Sequence, residues 1–296
     1  MRALLPRLAA MFAICLCLVT AASAEEMTPS QKAWEAASKA ATIGPADVPF
    51  GDQAVLKLPK DMVYIPVAES SVLMKQWGNS VGDGFGGLVV SSSTADNWVV
   101  AIDQVKEGYV KDEEAQSWNA GELLQTLKDG TEAQNAERIK IGVPALDVVG
   151  WVQPPNYDSA THRLVWSLKA VNRGAAADAE ATVNYNTYAL GRDGYYQINL
   201  LTGINHIDKE KPLVQGLLSS FAYNPGKRYE DFVAETDHIA EYGIGALIAG
   251  VAAKKLGLLA VAGLFLAKFA KIILVALAVA GGSFLKFFRR SPKPDA

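Results

Sequence analysis

Apolar and polar positions change period several times along these 296 residues, and the changes divide the chain. In residues 54–58, 62–67, 87–92 and 98–104 apolar residues alternate with polar ones. Each run carries β-branched or aromatic residues and ends at turn formers, the pattern of half-buried strands. Residues 147–153, 163–172, 181–190 and 194–201 repeat that pattern. Their links are Pro154-Pro155-Asn156-Tyr157-Asp158, an alanine-rich stretch over 174–181, and Gly191-Arg192-Asp193-Gly194. Four strands joined by short turns predict an antiparallel meander, and the last link predicts a tight turn that needs residues of positive φ.

Helical stretches separate and flank the strands. Over residues 25–43, Thr28 stands as an N-cap, Pro29 as the first helical residue and Gln31 at capping-box spacing, with Trp34 as the anchor onto a core. Residues 69–78 fit a short helix. Asn119 with Glu122 opens another that runs to about Arg138 and is expected to break or strain at Gly130. Residues 208–220 and 229–242 predict two more, the second running toward the C-terminal segment. The expected fold class is α+β, with mixed or antiparallel sheets, a few helices and a C-terminal transmembrane helical segment.

That segment, residues 243–285, is apolar on every side apart from Lys254, Lys255, Lys268 and Lys271, and is closed by Lys286, Phe287, Phe288, Arg289 and Arg290. A spanning helix needs roughly 20 such residues, and a helix apolar all round is a membrane span or a deep core element. The lysines mark interfaces in the simplest reading, with one span over 266–285 and an interfacial or re-entrant segment before it. A two-span hairpin stays open, with Lys268 and Lys271 in its turn. So does a polar stripe of Lys254, Lys268, Lys271 and Lys286 facing a partner helix or a second copy.

The N-terminus carries the three parts of an export signal: Arg2 and Arg7, an apolar stretch over 8–20, and Ala22-Ser23-Ala24 before Glu25. Both cysteines, Cys15 and Cys17, fall inside it, so residues 25–296 hold none and a disulfide, thiolate nucleophile or zinc–sulfur site is excluded there. Charge separates along the rest. Residues 25–241 hold 18 Lys and Arg against 30 Asp and Glu, whereas residues 242–296 hold 8 against a single acid, Asp295. The acidic part argues against nucleic acid as a partner, and the basic end suits an inner face beside anionic headgroups. The expected organisation is a signal peptide (1–24), a periplasmic α+β domain (25–241, whole or split near 140–145), a membrane anchor (242–290) and a cytoplasmic tail (291–296) at the bacterial inner membrane.

Chemistry is sparse. His162, His206 and His238 lie outside metal-ligand spacing of one another. Gly82-Asp-Gly-Phe-Gly-Gly87 has the dinucleotide-loop spacing, but a strand pattern follows where that loop must open a helix. No nucleophile elbow or phosphate loop occurs, so neither a cofactor nor a metal is expected. Asp158, His162 and Arg192 come nearest to a catalytic set. Arg192, Arg228, Tyr229 and Asp231 come nearest to a binding set, the last three at the start of the helix expected around 229–242, where Arg228 and Asp231 stand at i, i+3 pairing distance.

Several stretches together resemble a known family: Gly150-Trp-Val-Gln-Pro-Pro-Asn-Tyr-Asp158, Leu164-Val-Trp-Ser-Leu168, Asn184-Tyr-Asn-Thr-Tyr-Ala-Leu-Gly-Arg-Asp-Gly194, Phe221-Ala-Tyr-Asn-Pro-Gly-Lys-Arg-Tyr-Glu-Asp-Phe232 and Thr236-Asp-His-Ile-Ala-Glu-Tyr-Gly-Ile244. The chain is similar over most of residues 30–290 to the bacterial membrane-anchored proteins grouped as domain of unknown function 2167. The resemblance implies an exported, anchored protein and transfers no activity. The functional expectation is a binding or scaffolding module for an envelope protein partner. A cryptic envelope hydrolase and a self-associating assembly through the C-terminal helices are the alternatives.

Overall fold

The computed structural model describes residues 27–249 apart from 78, 80, 94, 95, 97, 141 and 177. The expected signal peptide and nearly all of the expected anchor lie outside the described residues. Among the described residues no helix is long and apolar enough to cross a membrane.

The elements in chain order are α1 (Pro29–Ala40), β1 (Thr42–Ile43), β2 (Ala46–Phe50), β3 (Ala54–Leu58), β4 (Met62–Ile65), α2 (Val67–Gln76), β5 (Phe85–Ser91), β6 (Val99–Val105), β7 (Tyr109–Lys111), α3 (Ala120–Lys140), β8 (Leu146–Asp158), β9 (Arg163–Asn172), β10 (Thr182–Gly191), β11 (Gly194–Gly203), α4 (Ile207–Ser219), β12 (Phe221–Tyr223), β13 (Ile239–Gly243) and α5 (Ile244–Ala249). The class is α+β with antiparallel sheets. An eight-stranded antiparallel sheet runs β1-β4-β5-β6-β11-β10-β9-β8, and a three-stranded one runs β12-β3-β2. The two strand groups read from the sequence meet at β6 and β11, which pair in register from Val99↔Leu201 to Tyr195↔Val105. β7 and β13 form a separate parallel pair.

Side chains alternate across the large sheet, so each strand feeds two cores. One face, with Val89, Val100, Ile102, Tyr185, Tyr196 and Ile198, packs against α4 and the small sheet. The opposite face carries two apolar clusters. Val63, Ile65, Leu88 and Ala101 lie under α1 and α2. Leu164, Leu168, Tyr188 and Tyr195 lie with Leu127 of α3 and with Ile244, Leu247 and Ile248 of α5.

Local expectations hold where the signal was chemical. Thr28 Oγ1 accepts from Gln31 N at 3.2 Å, and Gln31 Oε1 accepts from Thr28 N at 2.7 Å, closing the capping box. Trp34 meets Trp77 with centroids 5.9 Å apart. Asn119 Oδ1 accepts from the Gly121 and Glu122 backbone N–H groups at 2.8 and 3.3 Å. In the glycine-rich loop β5 starts at Phe85, so no helix N-terminus is available there for a phosphate.

Four expectations are corrected. α3 runs unbroken through Gly130, because one glycine costs only about 1 kcal/mol in a 21-residue helix. Pro154 to Asp158 is strand rather than link, since β8 is a sheet edge, where proline is tolerated, and its register shifts absorb the misfit. The helix over 229–242 does not form. Tyr229–Asp231 makes a single 3-10 turn and Ile239–Gly243 is extended, because β7 offers a backbone edge that the segment pairs with, His238 O accepting from Tyr109 N at 2.8 Å. The Arg228–Asp231 side-chain pair is likewise replaced: the Asp231 carboxylate accepts the Arg228 backbone N–H at 2.9 Å.

Glu210, in the first turn of α4, is 2 % exposed and its Oε2 has no partner among the described residues. Burial pushes its carboxyl up from the ordinary value, against the Thr202 hydroxyl and His206, which favour the charged form. A raised acid costs stability when ionised, so the cost is present above the folded value and absent below the ordinary 4.5. Glu210→Gln is expected to raise the melting temperature at pH 7 by roughly 2–4 °C, the shift given by about 1 kcal/mol in a domain of this size. The gain should vanish below about pH 4 in a pH series of thermal melts.

Candidate functional site at the hairpin tips

The β8–β9 and β10–β11 turns lie at the same end of the large sheet. Leu190 N donates to His162 O at 2.9 Å, and β9 pairs with β10 from Arg163↔Ala189 onward. The segment from Asn224 to Asp237 lies across both turns. Gly191 bridges to Arg228, and Arg192 N donates to Lys227 O at 3.0 Å. All six residues singled out from the sequence therefore reach one end of the large sheet, where His162 meets Tyr229 and Arg228 meets Asp231, while Asp158 and Arg192 bond to residues outside the six.

At the first turn Asp158 is engaged with its own loop, accepting from Ala160 N at 2.9 Å and Thr161 Oγ1 at 2.7 Å. Those bonds, the Thr161 hydroxyl first, hold its carboxyl below the usual value. His162 follows with φ of +51°, a left-handed conformation that histidine adopts more readily than most residues. That backbone turns its ring inward onto Tyr229, with centroids 4.2 Å apart and planes 29° from parallel. Tyr229 in turn stacks on Tyr109 at 4.4 Å, and Tyr109 on Phe232 at 4.0 Å. The result is a column of four rings drawn from three chain segments, with the Tyr229 hydroxyl donating to Val110 O at 2.9 Å.

Beside the column the Tyr157 hydroxyl donates to Asp112 Oδ2 at 2.7 Å. Its single proton thus committed, it accepts from His162 Nδ1 at 3.0 Å, which places a proton on Nδ1 and leaves Nε2 as the ring's lone-pair nitrogen when the ring is neutral. Asp112 Oδ2 is 3.8 Å from the same Nδ1. Burial, then the Asp112 carboxylate, pushes the Tyr157 phenol far above its ordinary range. Tyr157 therefore stays protonated and acts as a neutral bridge. Chemically the chain Asp112–Tyr157–His162 can hold an imidazole in one orientation. The Nδ1 side of the His162 ring is thereby committed to the Tyr157 hydroxyl.

Arg192, at the second turn, is committed elsewhere. Its Nε and Nη2 donate to Asp237 Oδ2 and Oδ1 at 2.6 and 2.8 Å, and Nη1 donates to Gly226 O at 3.2 Å. Asp237 also accepts from Val233 N at 2.8 Å. The Arg192 fork, then that backbone bond, holds the Asp237 carboxyl far below its usual range. The two turn residues, Arg192 and Asp193, do not take the expected positive φ; it falls beside the turn on Gly194, the first residue of β11, at +133°, where a Cβ would lie 1.9 Å from Val105 O. Asp158, His162 and Arg192 thus do not converge as a hydrolytic set. Asp112, Tyr157 and Asp237, which carry the bonding, had no sequence signal: Asp112 sits in the charged run Lys111-Asp-Glu-Glu114, Tyr157 in the stretch read as a link, and Asp237 only adjoins His238.

Loss of the fork should be visible in acid. A carboxyl with a lowered folded value stabilises above its ordinary 3.8 and loses that contribution as pH falls through the folded value. Arg192→Gln is expected to lower the melting temperature between about pH 5 and 8 and to converge with the parent protein at strongly acidic pH. A deficit undiminished in acid would mean that the guanidinium acts by packing alone.

No curated protein matches this chain in sequence. Solved structures show slight likeness. The solution structure of cyanobacterial PsbP (CyanoP) from Synechocystis matches at a TM-score of 0.36 and 11 % identity, over 62 % of this chain and 91 % of that one. The Ran-binding protein Mog1p of Saccharomyces cerevisiae matches at 0.34 and 11 %, over 61 % and 96 %. At such scores neither likeness carries an argument. The family model described as protein of unknown function (DUF2167) matches residues 42–278, most of the chain, and the protein belongs to that family.

Proposed function

We propose that this is a membrane-anchored envelope protein that works by binding, its acidic domain held in a fixed pose beside the bilayer to engage a protein partner. The observation that carries the reading is α5. It opens the apolar run, and its Ile244, Leu247 and Ile248 are 0 %, 6 % and 1 % exposed within the domain's own core. Gly243 and Gly245 lie so close to Glu114 that a Cβ at either would meet its carboxylate at 2.9 Å. A flexible tether would leave these positions in solvent. Here the start of the run is continuous with the folded domain, which suits a scaffold whose orientation matters.

The test is in-cell crosslinking and pull-down of the full-length protein against a version ending after Ala249. Recovery of one envelope protein with both versions is the expected result. Recovery of only the protein's own copies, lost with the anchor, would replace the reading with self-association. Truncation after Glu241 should unfold or strongly destabilise the domain, since it deletes three buried aliphatic side chains worth about 1.5–3 kcal/mol each. Urea denaturation of the two truncated proteins checks this.

A further inference from the structure

The end of the large sheet opposite the hairpin tips holds a cleft of about 380 Å³, within the size range of small-molecule sites. Its floor is Asp147 of β8 with Lys169 and Val171 of β9, Asp147 and Val171 being cross-strand partners. Lys169 pairs with Val183, whose side chain belongs to the core under α4, so the floor looks out on the α4 side of the sheet. One wall is the connection from β9 to β10, residues 174–176 and 178–181, and the other is the Ile204-Asn205 turn before α4. The rim over 174–176 and 178–180 is exposed, so the cleft opens to solvent. Ala175, Ala176 and Ala179 end at Cβ and leave the space above the floor unfilled.

Backbone bonds shape the walls. Ala175 N donates to Asn172 O at 3.0 Å, and Ala179 N donates to Ala176 O at 2.9 Å. Glu180 is seated from the facing wall: its Oε1 accepts from Asn205 N at 3.2 Å, and it passes so close over Gly203 that any Cβ there would strike the carboxylate. On the floor, Asp147 Oδ1 accepts from Arg173 Nε and Nη2 at 3.0 and 2.6 Å. One oxygen of each carboxylate is thereby committed. Asp178 lies on the same wall as Glu180. Lys169, half-buried in the floor, has no ion-pair partner among the described residues.

Three carboxylates and one ammonium thus line the cleft, and none of the carboxylates pairs with that ammonium. Separated charges of both signs suit a ligand that carries both signs itself. The excess of carboxylates calls for more than one cationic group on it. Val171, Ile204 and the rim alanines offer apolar contact to a methylene stem. A phosphate lacks the cations, and a diamine lacks the anion.

We propose that this cleft binds a free basic amino acid of the lysine or arginine type, its carboxylate on the Lys169 ammonium and its cationic groups on Asp147, Asp178 and Glu180. The proposal goes beyond the protein-partner reading and does not depend on it.

The experiment titrates full-length protein in a nonionic detergent with L-arginine, L-lysine, L-glutamate and putrescine, read by calorimetry. L-Arginine or L-lysine should bind, with L-glutamate and putrescine at least about tenfold weaker, since each forgoes a charge-assisted hydrogen bond. Lys169→Met, which keeps the stem and removes the charge, should weaken the bound amino acid by roughly tenfold or more. Glu180→Gln repeats the test should the first variant fail to fold. Binding by neither basic amino acid overturns the proposal, as does undiminished binding in a folded variant. Putrescine binding as tightly as the amino acids would also overturn it, because Lys169 would then take no part. Glutamate binding as tightly would do the same, because the carboxylates would take none.

Discussion

The pairing of β6 with β11 is the constraint on which the rest depends. Each half of the chain builds a four-stranded piece with one open central edge, β1-β4-β5-β6 and β11-β10-β9-β8. Seven residue pairs join the two edges. That junction fixes which side chains face α4 and which face the other helices, because a slip of one residue would exchange the two faces along a whole strand. It also brings the N-terminal helices and the C-terminal α5 over the same surface. Without it the apolar clusters beneath those helices would be half-built.

The hairpin tips show how a concentration of reactive residue types can arise from structure alone. Two turns, one returning loop and the β7–β13 pair crowd into one end of the sheet. Arg192, Asp237, Asp158 and Asp112 each meet an obligation there that the turn or the crossing segment creates. The aromatic column supplies contact area between segments distant in sequence, and the left-handed backbone at His162 aims one ring into it. The mid-sheet asparagines contrast with them: Asn186 donates to the Asn184 carbonyl, while both amide atoms of Asn199 are buried without a partner among the described residues.

Most of the strands were legible because period-2 alternation and turn residues are local signals, and so were the Thr28–Gln31 capping box and the Asn119 side-chain cap, although at Asn119 the reciprocal backbone bond to Glu122 does not form. The continuation of β8 through Pro154 and Pro155 was not, since proline is permitted only by an edge position that pairing creates. The extended course of Ile239–Gly243 was not legible either. Its residues are compatible with a helix, and the competing attraction is the free backbone of β7, more than a hundred positions earlier. At the tips the residue types drew notice, but the partners did not. Tyr157 and Asp112 bond across 45 positions, as do Arg192 and Asp237, and no spacing rule reaches that far.

The β6–β11 junction also sets the order in which the chain can fold. Its paired residues lie between 90 and 102 positions apart, so loop closure must be met before the pairing returns anything, and topologies of that kind fold slowly. Until β11 has been synthesised, β6 presents Val99, Val100, Ala101 and Ile102 along an unpaired edge, the kind of surface that recruits foreign strands. A nascent chain stopped short of residue 194 is therefore an aggregation hazard, and whatever accompanies the chain during synthesis has to shield that one strand until its partner arrives.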